Sequence, residues 1–466
     1  MKSFVVIGFI IKILHISSNY LDFPFYSRFN EEEINDDNPM TYFINNDIYT
    51  NFLIGNNKQL IEMNIKSQQS STFILSKSCP KNNKAKKFDE QNSETYCILL
   101  NKTQYYMYEF NIANYSRDTF TLLQKNDKQT VVEDFKFMLA LDLWKNNQEY
   151  MGGMLGLMLE LKEEQNKKEP DFTDFVLQLK EKEVINTYAF VLDYMDNYNG
   201  ILHFGNYYHE YNESYSLDDY VSTRAGNQKL KLKSWEINTE KIISGDYIVQ
   251  QNTFLRLYYE LGIVASPTGY HKYINDTFFK NFFDNGTCKE KLNFESVASF
   301  EKYRYIECDK NKFDVKTFPN LNFYNSDMNI SLILDYNDVF YEYKDKVYFL
   351  IIFPIYPITV EYWLMGKPCI KKYKFFLNKD QKTIGLYLSK IENKEEKEKI
   401  PEKPTNNMNY IITIIILGIV LVSIIVAIIY YFAVIKKTRK RRANELEDQY
   451  IEYTPSSEED EKKAIN

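Results

Sequence analysis

The chain has 466 residues, 44% of them hydrophobic and 26% charged, apolar enough for one large core or two medium ones and unlike an intrinsically disordered chain. A net charge of −7, from 57 basic and 64 acidic residues, leaves no basic excess to neutralise phosphates and argues against a nucleic-acid partner. Only 15 glycines are present, with no GxGxxG or P-loop pattern, and His203, His209 and His271 show no ligand spacing, so neither a metal nor another cofactor is expected.

Met1-Lys2, an apolar run from Phe4 to Ile16 and Ser17-Ser18 read as a secretory signal peptide over residues 1–18, with a buried strand as the plainer alternative. Residues 19–40 form an N-terminal segment too short for a long propeptide; Tyr20 to Asn38 is at most a remnant of one. From there to residue 390 apolar and β-branched runs recur between polar turns, for example Thr41–Gly55, Gln59–Lys66, Thr72–Leu75, Thr187–Leu192, Gly200–Phe204, Lys229–Ile237 and Lys346–Phe353. Alternation is clear in Leu60 to Ile65 and in Leu230-Lys231-Leu232. Two helices stand out by 3.6-residue spacing, one carrying Phe172, Phe175, Val176 and Leu179, the other Tyr270, Tyr273, Ile274, Thr277 and Phe278. One lies in each half, which points to two similar β lobes over residues 41–205 and 206–390.

Residues 391–409, rich in Lys, Glu and Pro, read as a solvated stalk. Residues 410–435 carry no charge; as a helix they extend about 39 Å, enough to cross a roughly 30 Å hydrocarbon core with some tilt. Lys436, Lys437, Arg439, Lys440, Arg441 and Arg442 follow and place residues 436–466 in the cytoplasm. The expected topology is a single-pass type I membrane protein with an extracellular, secretory-luminal or endolysosomal ectodomain.

All five cysteines fall in that ectodomain. Their grouping suggests local bridges Cys79–Cys97 and Cys288–Cys308, with Cys369 left as a buried thiol. Six glycosylation sequons, at Asn101, Asn114, Asn212, Asn275, Asn285 and Asn329, also lie on the luminal side.

A series of motifs in chain order resembles the pepsin-like aspartic proteases. Ile54-Gly55-Asn56-Asn57-Lys58-Gln59, then Lys66, Ser70-Ser71, Phe73-Ile74 and Cys79 are similar to that family's first active-site strand and loop. Tyr106 and Asp118-Thr119 resemble the flap tyrosine and the strand after it, and Gly153-Met154-Leu155-Gly156-Leu157 resembles Gly-Ile-Leu-Gly-Leu. Phe175 to Val184, Tyr188 to Leu192 and Gly200 to Gly205 are similar to the helix and strands that follow. In the second half Trp235-Glu236-Ile237, Val264 to Thr268, Trp363-Leu364-Met365-Gly366 and Ile370 to Leu386 look like the later landmarks. The resemblance implies a mainly β fold of two lobes related by a pseudo-twofold axis, with a peptide-binding cleft between them.

The family's chemistry needs two carboxylates sharing one proton, one acting as base on a water while the other donates to the carbonyl. Here the two Asp-Thr-Gly positions hold Lys66-Ser67-Gln68 and Tyr258-Tyr259-Glu260, the flap glycines are Met107 and Glu109, and the closing Asp is Lys367. An ammonium and a phenol supply no general base near neutral pH, so no catalytic residue is expected. Lys66 has three readings: an ion pair with Glu260 bridging the lobes, a receiver of a ligand carboxylate, or a solvated lysine. Phe73 and Tyr106 either line an apolar pocket or pack in the core. The functional expectation is a non-catalytic glycoprotein that binds peptide or protein segments in its cleft; the alternatives are an active membrane-anchored aspartic endopeptidase and a purely structural surface glycoprotein.

Overall fold

The computed structural model describes residues 20–27, 34, 38–45, 47–67, 69, 71–80, 85–104, 110–143, 152–159, 174–226, 234–293, 302–355 and 362–390. The signal peptide, Tyr106, Leu230–Leu232, the stalk, the apolar span at 410–435 and the tail lie outside these residues. Met1–Glu392 forms one compact unit. It is mainly β, as expected, and among the described residues no helix is long and apolar enough to cross a membrane.

Among the described residues the strands form three sheets, of thirteen, eight and four strands. Two stretches within them repeat one unusual pattern. In the first half, strand Gln59–Lys66 runs antiparallel to Ile48–Ile54 and parallel to Gly153–Gly156. Gly153–Gly156 is antiparallel to Phe73–Leu75, which is parallel to Gln129–Leu143. In the second half, Thr253–Leu257 runs antiparallel to Glu236–Thr239 and parallel to Tyr362–Met365. Tyr362–Met365 is antiparallel to Val264–Ala265, which is parallel to Lys346–Pro354. The same order of parallel and antiparallel partners thus occurs twice. Each central strand is fully buried or nearly so (Gly153–Gly156; Trp363 to Met365), as expected where both faces are covered.

Two expectations are corrected and one segment gains a structure. Thr41–Gly55 is not one strand: Met40–Ile44 is a helix, and the strand covers only Ile48–Ile54. Tyr20–Ser27, within the N-terminal segment, is a strand paired with Asn199–Gly205 from Tyr20↔Gly205 to Tyr26↔Asn199. Leu21, Phe23 and Phe25 alternate into the core. Pro24, which lacks an N–H, is tolerated there because the strand on the other side, Ile48–Ile54, pairs only with Tyr26 and Ser27. The second helix, finally, does not keep one α-helical face. Thr268–Ile274 is α-helical, Asn275–Phe279 is a π-turn, and Lys280–Asp284 resumes the α-helix. The extra residue in the turn moves burial from Phe278 to Phe279, so Tyr270, Ile274 and Phe279 face the core.

Cys288 and Cys308 lie opposite each other on adjacent strands and are bonded. Cys79 and Cys97 are not. Cys79 is buried in an apolar cluster with Phe73, Leu75 and Met138, whereas Cys97 is a half-exposed free thiol at the start of edge strand Cys97–Gln104. Cys369 is a buried thiol.

Candidate functional site

The site is built where the two repeated patterns end. Lys66 closes its strand opposite Gly156, and Leu257 stands opposite Met365, so that Tyr258, one residue on, reaches the level of Gly366. Both glycines are required by close approach. A Cβ at Gly156 would stand 2.6 Å from the Gln69 carbonyl oxygen, and one at Gly366 would stand 2.2 Å from that of Ile263, separations that no side chain tolerates. Lys66 and Tyr258 therefore occupy matching places in the two halves.

Their side chains engage different surroundings. The turn Gly55–Lys58 sets a register in which Tyr49 faces Asn64, and one step further along the same face Lys66 reaches Asp47. Lys66 Nζ and Asn64 Nδ2 both donate to Asp47 Oδ1 at 3.0 Å. Tyr258 packs instead against a cluster that includes Phe43, Ile44, Leu261 and Ile263. Its loop is seated on the Met40–Ile44 helix, where Gly262 N donates to Ile44 O at 2.7 Å.

The two loops touch through Ser67 and Glu260. The Glu260 carboxylate is buried and accepts from Ser67 N at 2.9 Å and from Ser67 Oγ at 2.5 Å. Burial raises the Glu260 pKa, while the charge of Lys66 and the Ser67 hydrogen bonds pull it the other way. Lys66 thus pairs with Asp47 while its charge also acts on Glu260, and the two loops meet through a Ser67–Glu260 clamp. A second tie between the halves comes from Trp235, whose indole N–H donates to Leu157 O at 2.8 Å.

Of the two carboxylates, Asp47 is held by a lysine and an asparagine, and Glu260 by a serine. Ser67, beside the Glu260 carboxylate, is itself buried at 1% exposure. Phe73 is buried in the same cluster as Cys79. Sequence reading missed Asp47 entirely, although the length of the Gly55–Lys58 turn was enough to place it across from Lys66.

Of the sequon asparagines, Asn101, Asn212, Asn285 and Asn329 are exposed. Asn275 is half-buried, its amide donating to Glu290 Oε2 at 2.7 Å. Asn114, expected to carry a glycan, is buried mid-strand opposite Leu139, where no sugar can be attached. No protein-family model matches the chain, and a search of curated proteins finds none with significant similarity.

Proposed function

We propose that the chain is a membrane-anchored glycoprotein with a pepsin-like ectodomain that has lost catalysis and binds an extended peptide or protein segment between its two halves. The ordered motifs from Ile54 to Leu386 support the family reading, and the twice-repeated strand pattern is what a pseudo-twofold, two-lobed fold would produce. One observation carries the reading. At the matching ends of the two patterns stand Lys66 and Tyr258, and the contact between those loops is a serine–carboxylate clamp rather than a carboxylate pair. Such a floor holds the halves in register and offers a polar, cationic surface to a ligand.

The test is binding of extended peptides to the full chain in detergent, at acid and neutral pH. Lys66→Glu is expected to weaken that binding by roughly tenfold, about 1.4 kcal/mol, when measured below the variant's own unfolding midpoint. Binding unaffected by Lys66→Glu would remove the groove as the site. No binding of any peptide would favour the scaffold alternative.

A further inference from the structure

The closing segment Tyr362–Met365 turns at Gly366 into helix Lys367–Tyr373, which sets Lys367 and Lys371 one helical turn apart. The hairpin between strands Ala189–Tyr194 and Asn199–Gly205 lies against this pair. Lys371 Nζ donates to Asn197 Oδ1 at 2.8 Å. Lys367 Nζ lies 5.9 Å from the centre of the Tyr194 ring and 5.4 Å from that of Tyr198. The hairpin's carboxylates are otherwise engaged. Asp196 is exposed and accepts from Tyr198 N at 2.6 Å and Asn199 N at 2.7 Å, while Asp193 pairs with Lys374 at 2.8 Å.

Among the described residues, then, the half-buried ammonium of Lys367 has two ring faces and a second cation for company, and no carboxylate in contact. Burial and the Lys371 charge lower its pKa to about 8, with Asp196 acting weakly against them. Aromatic faces offset part of the desolvation of an ammonium but supply no counter-charge. Two ammoniums against the single exposed carboxylate of Asp196, whose charge acts on both, leave a net cationic recess with an amide and a phenol beside it and one apolar wall.

We propose that Lys367, Lys371, Asn197 and Tyr198 form a binding site for a ligand carboxylate attached to an apolar or aromatic body, such as the C-terminal group of a peptide ending in an aromatic residue. The anion bridges the two ammoniums and turns their mutual repulsion into shared attraction. The half-exposed Tyr198 ring faces the apolar body, with the buried Tyr194 ring behind Lys367, and the Asn197 amide fixes the carboxylate's orientation. The site is independent of the Lys66 centre and does not rest on the loss of catalysis there.

The experiment is trace acetylation of the full chain in detergent at neutral pH, read lysine by lysine by mass spectrometry, with sodium benzoate as the probe and sodium sulfate and sodium chloride at matched ionic strength. A bound carboxylate holds Lys367 as the unreactive ammonium, so benzoate is expected to slow its acetylation by about threefold or more relative to chloride. Lys371→Gln is expected to abolish the protection and Lys371→Arg to retain it, both with the parent's unfolding midpoint. Three results would overturn the proposal: protection by benzoate no greater than by chloride, equal protection in Lys371→Gln, or sulfate protecting as well as benzoate, which would mean charge alone is read.

Discussion

Asp47 and Glu260 flank the Lys66 centre, and burial separates their roles. Asp47 has a 44% exposed side chain, so its ion pair with Lys66 is screened and contributes little; Asp47→Ala is expected to cost less than about 1 kcal/mol. Glu260 is buried and satisfies two donors of Ser67. Glu260→Ala leaves the buried Ser67 N–H without its acceptor and is expected to cost about 1–3 kcal/mol. The pH dependence has a definite sign. Because the folded-state pKa of Glu260 is raised, its contribution to stability is full below the unfolded value and is lost as pH rises through the folded one. Glu260→Gln, which keeps an acceptor for Ser67 N and a donor for Ser67 Oγ, should flatten that acid-favouring slope in denaturant titrations. An unchanged slope would remove Glu260 as its source.

At the scale of elements, the repeated strand pattern depends on backbone approach that only glycine permits. Gly366→Ala would bring a methyl within 2.2 Å of the Ile263 carbonyl oxygen and is expected to destabilise by about 2 kcal/mol or more. The π-turn makes a sharper test of register. Phe279, fully buried, should cost about 3–5 kcal/mol on replacement by Ala, and the half-buried Phe278 clearly less; equal costs would mean the helix keeps a single α-helical face. The Cys288–Cys308 bridge spans 20 residues, for which chain entropy gives on the order of 3 kcal/mol, so Cys288→Ser should lower stability by about that amount.

How far the sequence could be read is clearest at these elements. Gln59–Lys66 was legible to the residue because its alternation starts from a turn of Gly and Asn. Other features were hidden for identifiable reasons. Tyr20–Ser27 carries a readable Leu-x-Phe-x-Phe alternation, but Pro24 interrupts it, and only the short pairing with Ile48–Ile54 explains why that is harmless. The Met40–Ile44 helix is five apolar or β-prone residues whose helicity follows from docking on the Leu261–Gly262 loop, a tertiary effect with no local signal. The Cys79–Cys97 pairing failed because spacing does not report direction: one thiol points into the core and the other lies on an edge strand.

On the scale of the whole molecule, the folded unit leaves room for a sugar at some sequons and not at others. If the unit faces a lumen, glycopeptide mapping should find sugar at Asn101, Asn212, Asn285 and Asn329 and none at Asn114; occupied Asn114 would contradict the strand that buries it. The edge strands also differ. Cys288–Asn293 guards its edge with Lys289, Glu290 and Lys291, whereas Cys97–Gln104 exposes Ile98, Leu99 and Leu100. The central claim, that a serine–carboxylate clamp has replaced the acid pair, is met most directly by a peptide-cleavage assay of the full chain at acid pH, with and without a pepstatin-type inhibitor. The account predicts no inhibitor-sensitive cleavage. Cleavage that the inhibitor blocks and that either Asp47→Asn or Glu260→Gln abolishes would contradict it.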